Sequence, residues 1–169
     1  MIPGYSIIES LGKDPHWHLY RCVSIRDERP VLIRSTRGQS PDPLLTEQLE
    51  SEFGMLRNIS IPGVLKAYDL VVSSDSAALV LEDPGGLLLD AVLVSKRLDI
   101  REFLRIAINI TSIIADLHSR RIVHTRLQPG VVLLGNEGQG VWISGFEHAL
   151  KLKAGAHTRH VLAEGKLAY

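Results

Sequence analysis

Apolar residues gather in three short runs near the start of the chain, Tyr5 to Leu11, His18 to Ile25 and Val31 to Ser35, with an alternating pattern around Cys22. Short apolar runs bounded by turn residues are the signature of strands. Gly12-Lys13-Asp14-Pro15 and Arg26-Asp27-Glu28-Arg29-Pro30 supply turn chemistry between the runs, so together they predict an antiparallel meander. The period then changes: Leu45, Leu49, Phe53 and Leu56 recur at helical spacing, which predicts a helix over 45–56 that stops before Pro62 and is weakened slightly by Gly54. Two more strand-like runs, Val64 to Val72 and Ala77 to Leu81, lead into Glu82-Asp83-Pro84-Gly85-Gly86, whose proline and paired glycines read as a connector.

Beyond the connector the pattern is helical again. Asp99 and Glu102 have the spacing of a capping box, and Phe103, Ile106, Ala107, Ile110, Ile113, Ile114 and Leu117 form one stripe, predicting a long core-facing helix. After Ile122-Val123, the runs Val131 to Leu134 and Val141 to Ser144 flank Gly135-Asn136-Glu137-Gly138 and predict a hairpin. The whole order is five strands with one inserted helix, a connector, a long helix and a hairpin, an α+β pattern without internal repeats.

Composition narrows the setting. The 169 residues suit one domain with a substantial core. Basic and acidic side chains balance at 19 each with no block of like charge, so neither a nucleic-acid nor a membrane partner is expected. Apolar stretches such as Ile106 to Ile114 are broken by Asn109, Thr111 and Ser112, and Met1-Ile2-Pro3-Gly4 does not read as a secretory signal, so a cytoplasmic setting is the expectation. Cys22 is the only cysteine, which excludes an internal disulfide and reads as a small core residue. His16 with His18, and His157 with His160, lack companion ligands at zinc-binding spacing, so no metal site is expected. Ser144 and His148 lack both a strained nucleophile turn and an orienting acid.

Local strings then carry a family likeness. Ile122-Val123-His124-Thr125-Arg126-Leu127-Gln128-Pro129-Gly130-Val131-Val132-Leu133-Leu134 resembles the protein-kinase catalytic loop, I-V-H-R-D-L-K-P-x-N-I-L-L. Val141-Trp142-Ile143-Ser144-Gly145-Phe146-Glu147 resembles the strand leading into D-F-G, Ala78 to Gly86 the fifth strand and hinge, and Glu164 to Tyr169 the G-T-L-A-Y string of the activation segment. The wording is most similar to the kinase-like domain that opens large bacterial signalling proteins combining serine/threonine-kinase-like, ATPase and sensor histidine kinase regions. The resemblance implies a bilobal kinase-like fold. Its small lobe and hinge would span 1–84, with a five-stranded antiparallel sheet and one helix; the first part of a helical large lobe would span 85–169, left incomplete.

Positions within the motifs depart from the family in a consistent register. Arg34 stands where the family has its phosphate-binding lysine, and Glu52 where its partner glutamate sits, so an Arg34–Glu52 ion pair is implied. Arg126 replaces the aspartate base with a group that stays protonated, Val131 replaces the asparagine on the second magnesium, and Gly145 replaces the D-F-G aspartate. The nucleotide pocket the resemblance implies comprises Leu11, Gly12, Leu19, Leu32, Leu81, Glu82, Pro84 and Leu133. Only the first glycine of the Gly-rich loop remains, with Asp14 and Trp17 obstructing the phosphates, and Pro84 has no N–H to offer an adenine ring. Weak or absent ATP and magnesium binding is therefore expected. His124, Phe146, Leu56 and Leu127 match the family at positions expected to pack the interior or hold the loop.

These departures imply a pseudokinase-type signalling module without phosphotransfer, acting through contacts with other signalling domains or proteins, in the same longer polypeptide or outside it. The alternatives are an ATP-dependent serine/threonine kinase with residual activity and a non-functional fragment. Because Tyr169 precedes the A-P-E region, the expectation is either a piece of a longer polypeptide or a shortened product that needs a partner, with apolar area exposed on the long helix.

Overall fold

Every residue from Val31 to Thr36 is buried, more than a strand with one solvated face would show. In the computed structural model, which describes residues 2–13, 16–36, 42–73, 76–136 and 140–153, that segment lies at the centre of a five-stranded antiparallel sheet. The strands are β1 (Tyr5–Lys13), β2 (Trp17–Ser24), β3 (Pro30–Thr36), β4 (Ala67–Val72) and β5 (Ala77–Glu82), ordered β1-β2-β3-β5-β4. Successive side chains of β3 point to opposite faces. Val31 and Ile33 pack with Cys22, Ala78 and Val80 in a small cluster on one face, whereas Leu32 joins Leu49, Leu79 and Leu81 in the main core on the other. Arg34, two residues past Leu32, therefore faces the main core and the second half of the chain.

Helix α1 (Pro43–Leu56) is inserted between β3 and β4. Asp42 caps it by accepting the Leu44 N–H at 2.9 Å, and Pro43 occupies the first turn, where its missing N–H costs nothing. Its buried residues are Leu45, Leu49, Glu52 and Leu56, so a carboxylate is carried on the apolar stripe.

The expected strand from Val64 to Val72 begins only at Ala67. The first residues are drawn instead to the other half of the molecule: Val64 forms a parallel bridge with Ile143, and Leu65 N–H donates to the Ile143 carbonyl at 3.2 Å. The connector is held at both ends by Arg21 of β2. Its Nε donates to Asp83 Oδ2 at 2.7 Å and its Nη2 to the Gly86 carbonyl at 2.7 Å, with Glu9 on Nη1. Asp83 also accepts the Gly85 N–H at 2.8 Å. Gly86 has φ +84°, and a Cβ there would lie 1.8 Å from the Leu134 carbonyl oxygen, so only glycine lets the connector pass.

The second half holds β6 (Leu87–Leu88), α2 (Leu89–Ser95), α3 (Ile100–Ser119), β7 (Ile122–Val123), a 3₁₀ turn at Pro129–Val131, β8 (Val132–Leu134), β9 (Val141–Ile143) and β10 (Leu150–Lys151). The short strands form an antiparallel β6-β8-β9 sheet and a β10-β7 pair. Helix α3 carries the expected capping box, with Glu102 N–H donating to Asp99 Oδ1 at 2.8 Å and Asp99 N–H to Glu102 Oε2 at 3.2 Å. Its stripe is buried at Ile106, Ile113 and Leu117. Phe103, expected in that stripe, is 54% exposed, and Ile100, Leu104 and Ile108 form a second apolar edge open to solvent. The hairpin is observed with Leu133 opposite Trp142, but Val131 belongs to the preceding 3₁₀ turn; part of the expected Gly135–Gly138 turn lies outside the described residues, as do Asp14, His157 and His160.

Candidate functional site

The two halves meet at a cleft of about 690 Å³, and its wall is assembled from both. Gly12, Leu19, Leu32 and Leu81 line it from the sheet; Arg126, Gln128, Val131, Gly145 and Glu147 line it from the opposite side. Of the remaining predicted pocket residues, Leu133 is fully buried and Leu11 packs against the same core, while Glu82, the last residue of β5, and Pro84 in the connector are half-buried. Leu88 narrows the space, since a Cβ on Gly12 would come within 2.9 Å of its Cδ1.

At the back of the cleft Arg34 and Glu52 come together. Arg34 Nη1 donates to Glu52 Oε2 at 2.7 Å, and Glu52 is 0% exposed. The register of β3 and the helical spacing of α1 account for this pair: each residue sits on the core-facing side of its element. Glu52 Oε1 also accepts the backbone N–H groups of Gly145 at 3.1 Å and Phe146 at 2.9 Å. The helix is thereby fastened to the segment after β9.

A third charge completes the cluster. Arg34 Nη1 donates to Glu147 Oε2 and Nη2 to Glu147 Oε1, both at 2.8 Å, a bidentate fork with side-chain exposures of 11% and 7%. Trp17 closes the remaining side, its ring 4.5 Å from the Arg34 guanidinium carbon. Two carboxylates thus share one guanidinium. Burial pushes the Glu52 carboxyl up and the Glu147 charge adds to this, against Arg34 and the two N–H bonds. Burial would raise Glu147 too, but the Arg34 fork and its charge outweigh it and bring that carboxyl down to about 2.

Beside this cluster His124 is enclosed, whereas Leu127, Gln128 and Pro129 are exposed. His124 is buried, stacks edge-on against Phe146 with centroids 4.6 Å apart, and makes a 2.8 Å hydrogen bond from Nε2 to the Ser144 carbonyl. Burial lowers its pKa, which favours the neutral ring, and with Nε2 donating, Nδ1 is an acceptor without a partner among the described residues. Thr125 adopts φ +66°, strained for a β-branched residue, and its hydroxyl donates to the His148 carbonyl at 2.9 Å. Gly145 has φ +80°, and a Cβ there would lie 2.7 Å from Val131 Cγ1, so Val131 fills the space that a side chain at 145 would enter. Neither Val131 nor Gly145 presents a side-chain oxygen. Among the described residues, no group of three His, Cys, Asp or Glu is placed to hold a metal ion.

Several other sequence readings can be placed. Phe146 and Leu56 are core residues as expected, but Leu127 is 44% exposed, because the loop turns it outward ahead of Pro129. Cys22 is fully buried, and burial pushes its thiol up to about 11. Ser144 donates to the Val131 carbonyl at 3.2 Å. Trp17 stands over Arg34 at the start of β2. Glu147 was not singled out from the sequence; an acidic residue directly after Phe146, where the family has the glycine of D-F-G, was the available signal.

A five-stranded sheet with one helix, facing a second half across a cleft with a strand cation paired to the helix carboxylate, is the bilobal architecture of protein kinases. The sequence matches the protein kinase domain over residues 5–166, and the chain belongs to that family. It is 31% identical over 146 residues to the carbon catabolite-derepressing protein kinase of Candida glabrata, covering 86% of this chain and 24% of that protein. It is 28% identical over 156 residues to human ribosomal protein S6 kinase alpha-2, covering 90% of this chain and 21% of that one. Another relative is the peroxide stress-activated histidine kinase mak2 of Schizosaccharomyces pombe, 28% identical over 117 residues, covering 65% of this chain and 5% of that protein. The chain thus spans between 5% and 24% of the length of these three relatives. No helix among the described residues is long and apolar enough to cross a membrane.

Proposed function

We propose that this kinase domain is a pseudokinase-type signalling module that does not transfer phosphate and acts through protein–protein contacts. One observation carries the reading: Arg126, Val131 and Gly145 together offer no proton acceptor and no metal ligand, and the Val131 side chain fills the space where a side chain at 145 would project. Phosphoryl transfer draws on positioning and charge stabilisation by metals, phosphate-binding cations and a carboxylate acceptor. Here a protonated guanidinium stands in the acceptor's place, and the phosphate-binding cation is engaged by two carboxylates. ATP and magnesium are expected to bind weakly or not at all. The partners in this reading are other signalling domains, in a longer polypeptide or separate, in the cytoplasm. Similarity to a histidine kinase of which this chain would cover only 5% supports a place beside a sensor histidine kinase, as in the large bacterial proteins its wording resembles.

A second reading, an ATP-dependent serine/threonine kinase with residual activity, is favoured by the intact Arg34–Glu52 pair and by relatives whose names are protein kinases. A thermal-shift titration with ATP, with and without magnesium, separates the two. A ligand at a hundred times its Kd stabilises by about 2.7 kcal/mol, which is readily seen. No shift is expected in either condition. A magnesium-dependent shift, together with radiolabel transfer that is lost in Arg34→Met, would establish the kinase reading instead.

A further inference from the structure

We propose that Glu147 is a built-in occupant of the phosphate-side anion site, a carboxylate supplied by the chain itself that holds the two lobes closed without nucleotide. This deepens the pseudokinase reading and rests on it.

Arg34 belongs to the sheet and Glu147 to the segment after β9, so the fork between them crosses the cleft. Each Glu147 oxygen takes one guanidinium nitrogen at 2.8 Å, the two-point geometry with which arginine receives a carboxylate or a phosphate. Glu52 takes Nη1 from the helix side and Trp17 covers the guanidinium face. An incoming anion has to displace Glu147, and would leave that carboxylate buried beside a second one, Glu52, that is fully enclosed. Breaking a buried pair in this way lowers affinity on the order of a hundredfold or more. The charge count explains why the occupant is tolerated: Glu52 also has the Gly145 and Phe146 N–H groups, so the guanidinium is left to serve Glu147 as well. Removing Glu147 takes away the carboxylate that spans both Nη1 and Nη2 and keeps Glu52 on Nη1. Arg126, on the opposite wall, adds a second positive charge.

The test is calorimetric titration of the full chain with tripolyphosphate in the presence of EDTA, comparing wild type with Glu147→Ala, Glu147→Gln and Arg34→Met/Glu147→Ala. Wild type is expected to show no binding at millimolar ligand. Glu147→Ala is expected to bind at least a hundredfold more tightly than wild type, Glu147→Gln to fall between them, and the double variant to lose the gain. Glu147→Gln is isosteric and is read in the same way if the alanine variant does not fold. Equal binding by wild type and both single variants, or a gain that persists without Arg34, would overturn the proposal. The phosphotransfer assay bears on the pseudokinase reading and does not depend on this result: tripolyphosphate without metal tests only who occupies Arg34.

Discussion

Placing an alanine at Gly145 probes directly whether the metal-ligand position has been filled from the other side. The substitution carries two costs. At φ +80° a residue with a Cβ is strained by roughly 1–2 kcal/mol. The Cβ would also lie 2.7 Å from Val131 Cγ1 and 3.2 Å from its Cβ, and a β-branched side chain has little rotamer freedom with which to yield. Overpacking of this kind costs about 1–3 kcal/mol, so Gly145→Ala should destabilise by about 2–5 kcal/mol. In a Val131→Ala background the 2.7 Å contact disappears while the 3.2 Å contact with the Cβ stays, so most of the second cost is lost and the backbone strain of about 1–2 kcal/mol remains. The two substitutions should therefore be non-additive by about 1–3 kcal/mol, the double variant being more stable than the sum of singles predicts. Urea unfolding of wild type, both singles and the double, followed by circular dichroism at one pH and temperature, measures this coupling. Additivity within about 0.5 kcal/mol would refute the claim that Val131 occupies the space. If the coupling is found, an aspartate introduced alone at 145 meets the same wall.

Other outcomes follow from the charge cluster and the connector. Arg34→Met leaves Glu52 and Glu147 without their shared cation, and should cost about 3–5 kcal/mol in the same unfolding experiment; a loss below about 1 kcal/mol would mean that both carboxylates reach water. Glu147, held at about 2 against an ordinary value of 4.5, contributes stability that is complete above pH 4.5 and is lost as the pH falls through 2. Glu52 has the opposite sign, since its raised carboxyl favours the fold as it gains a proton, so acid destabilisation between pH 4.5 and 2 should shrink in Glu147→Gln; an unchanged acid profile would contradict the assignment. Gly86→Ala would drive a Cβ to 1.8 Å from the Leu134 carbonyl and should abolish native near-ultraviolet dichroism, whereas a variant melting like wild type would show that the connector can shift.

The elements that sequence made legible are those with long periodic signals. The meander, α1, and α3 with its capping box have periods that persist over several turns or strand residues, and local chemistry there agrees with the final packing. Short elements were not legible. Helix α2 covers only Leu89–Ser95 and contains Val92, Leu93 and Val94, which read equally well as strand or helix. Val64 was read into a strand because its composition suits one, yet its pairing partner is Ile143, and no local pattern reports a contact at that separation. The site divides along the same line. Glu52 was visible because the resemblance put it where the family has its partner glutamate; that it lies buried on the apolar stripe of α1 is legible only in the structure. Glu147 was missed because its partner Arg34 lies 113 residues away and its neighbours had been read as a degraded motif. A charged residue placed where a family has glycine is a gain of chemistry as well as a loss.

The bond from Arg21 to Asp83 and Gly86 bears on what a partner would meet. A connector of this kind is where two lobes would turn, and here it is fastened to β2 by a short ion pair whose Asp83 side chain is almost wholly enclosed. The part of a partner's surface that met β2 and the connector would thus find one shape before any encounter. Association then loses little entropy to the ordering of this chain, and affinity can come from a modest contact area. In the pseudokinase reading proposed above, a domain built this way would serve as a fixed template whose partner does the adjusting.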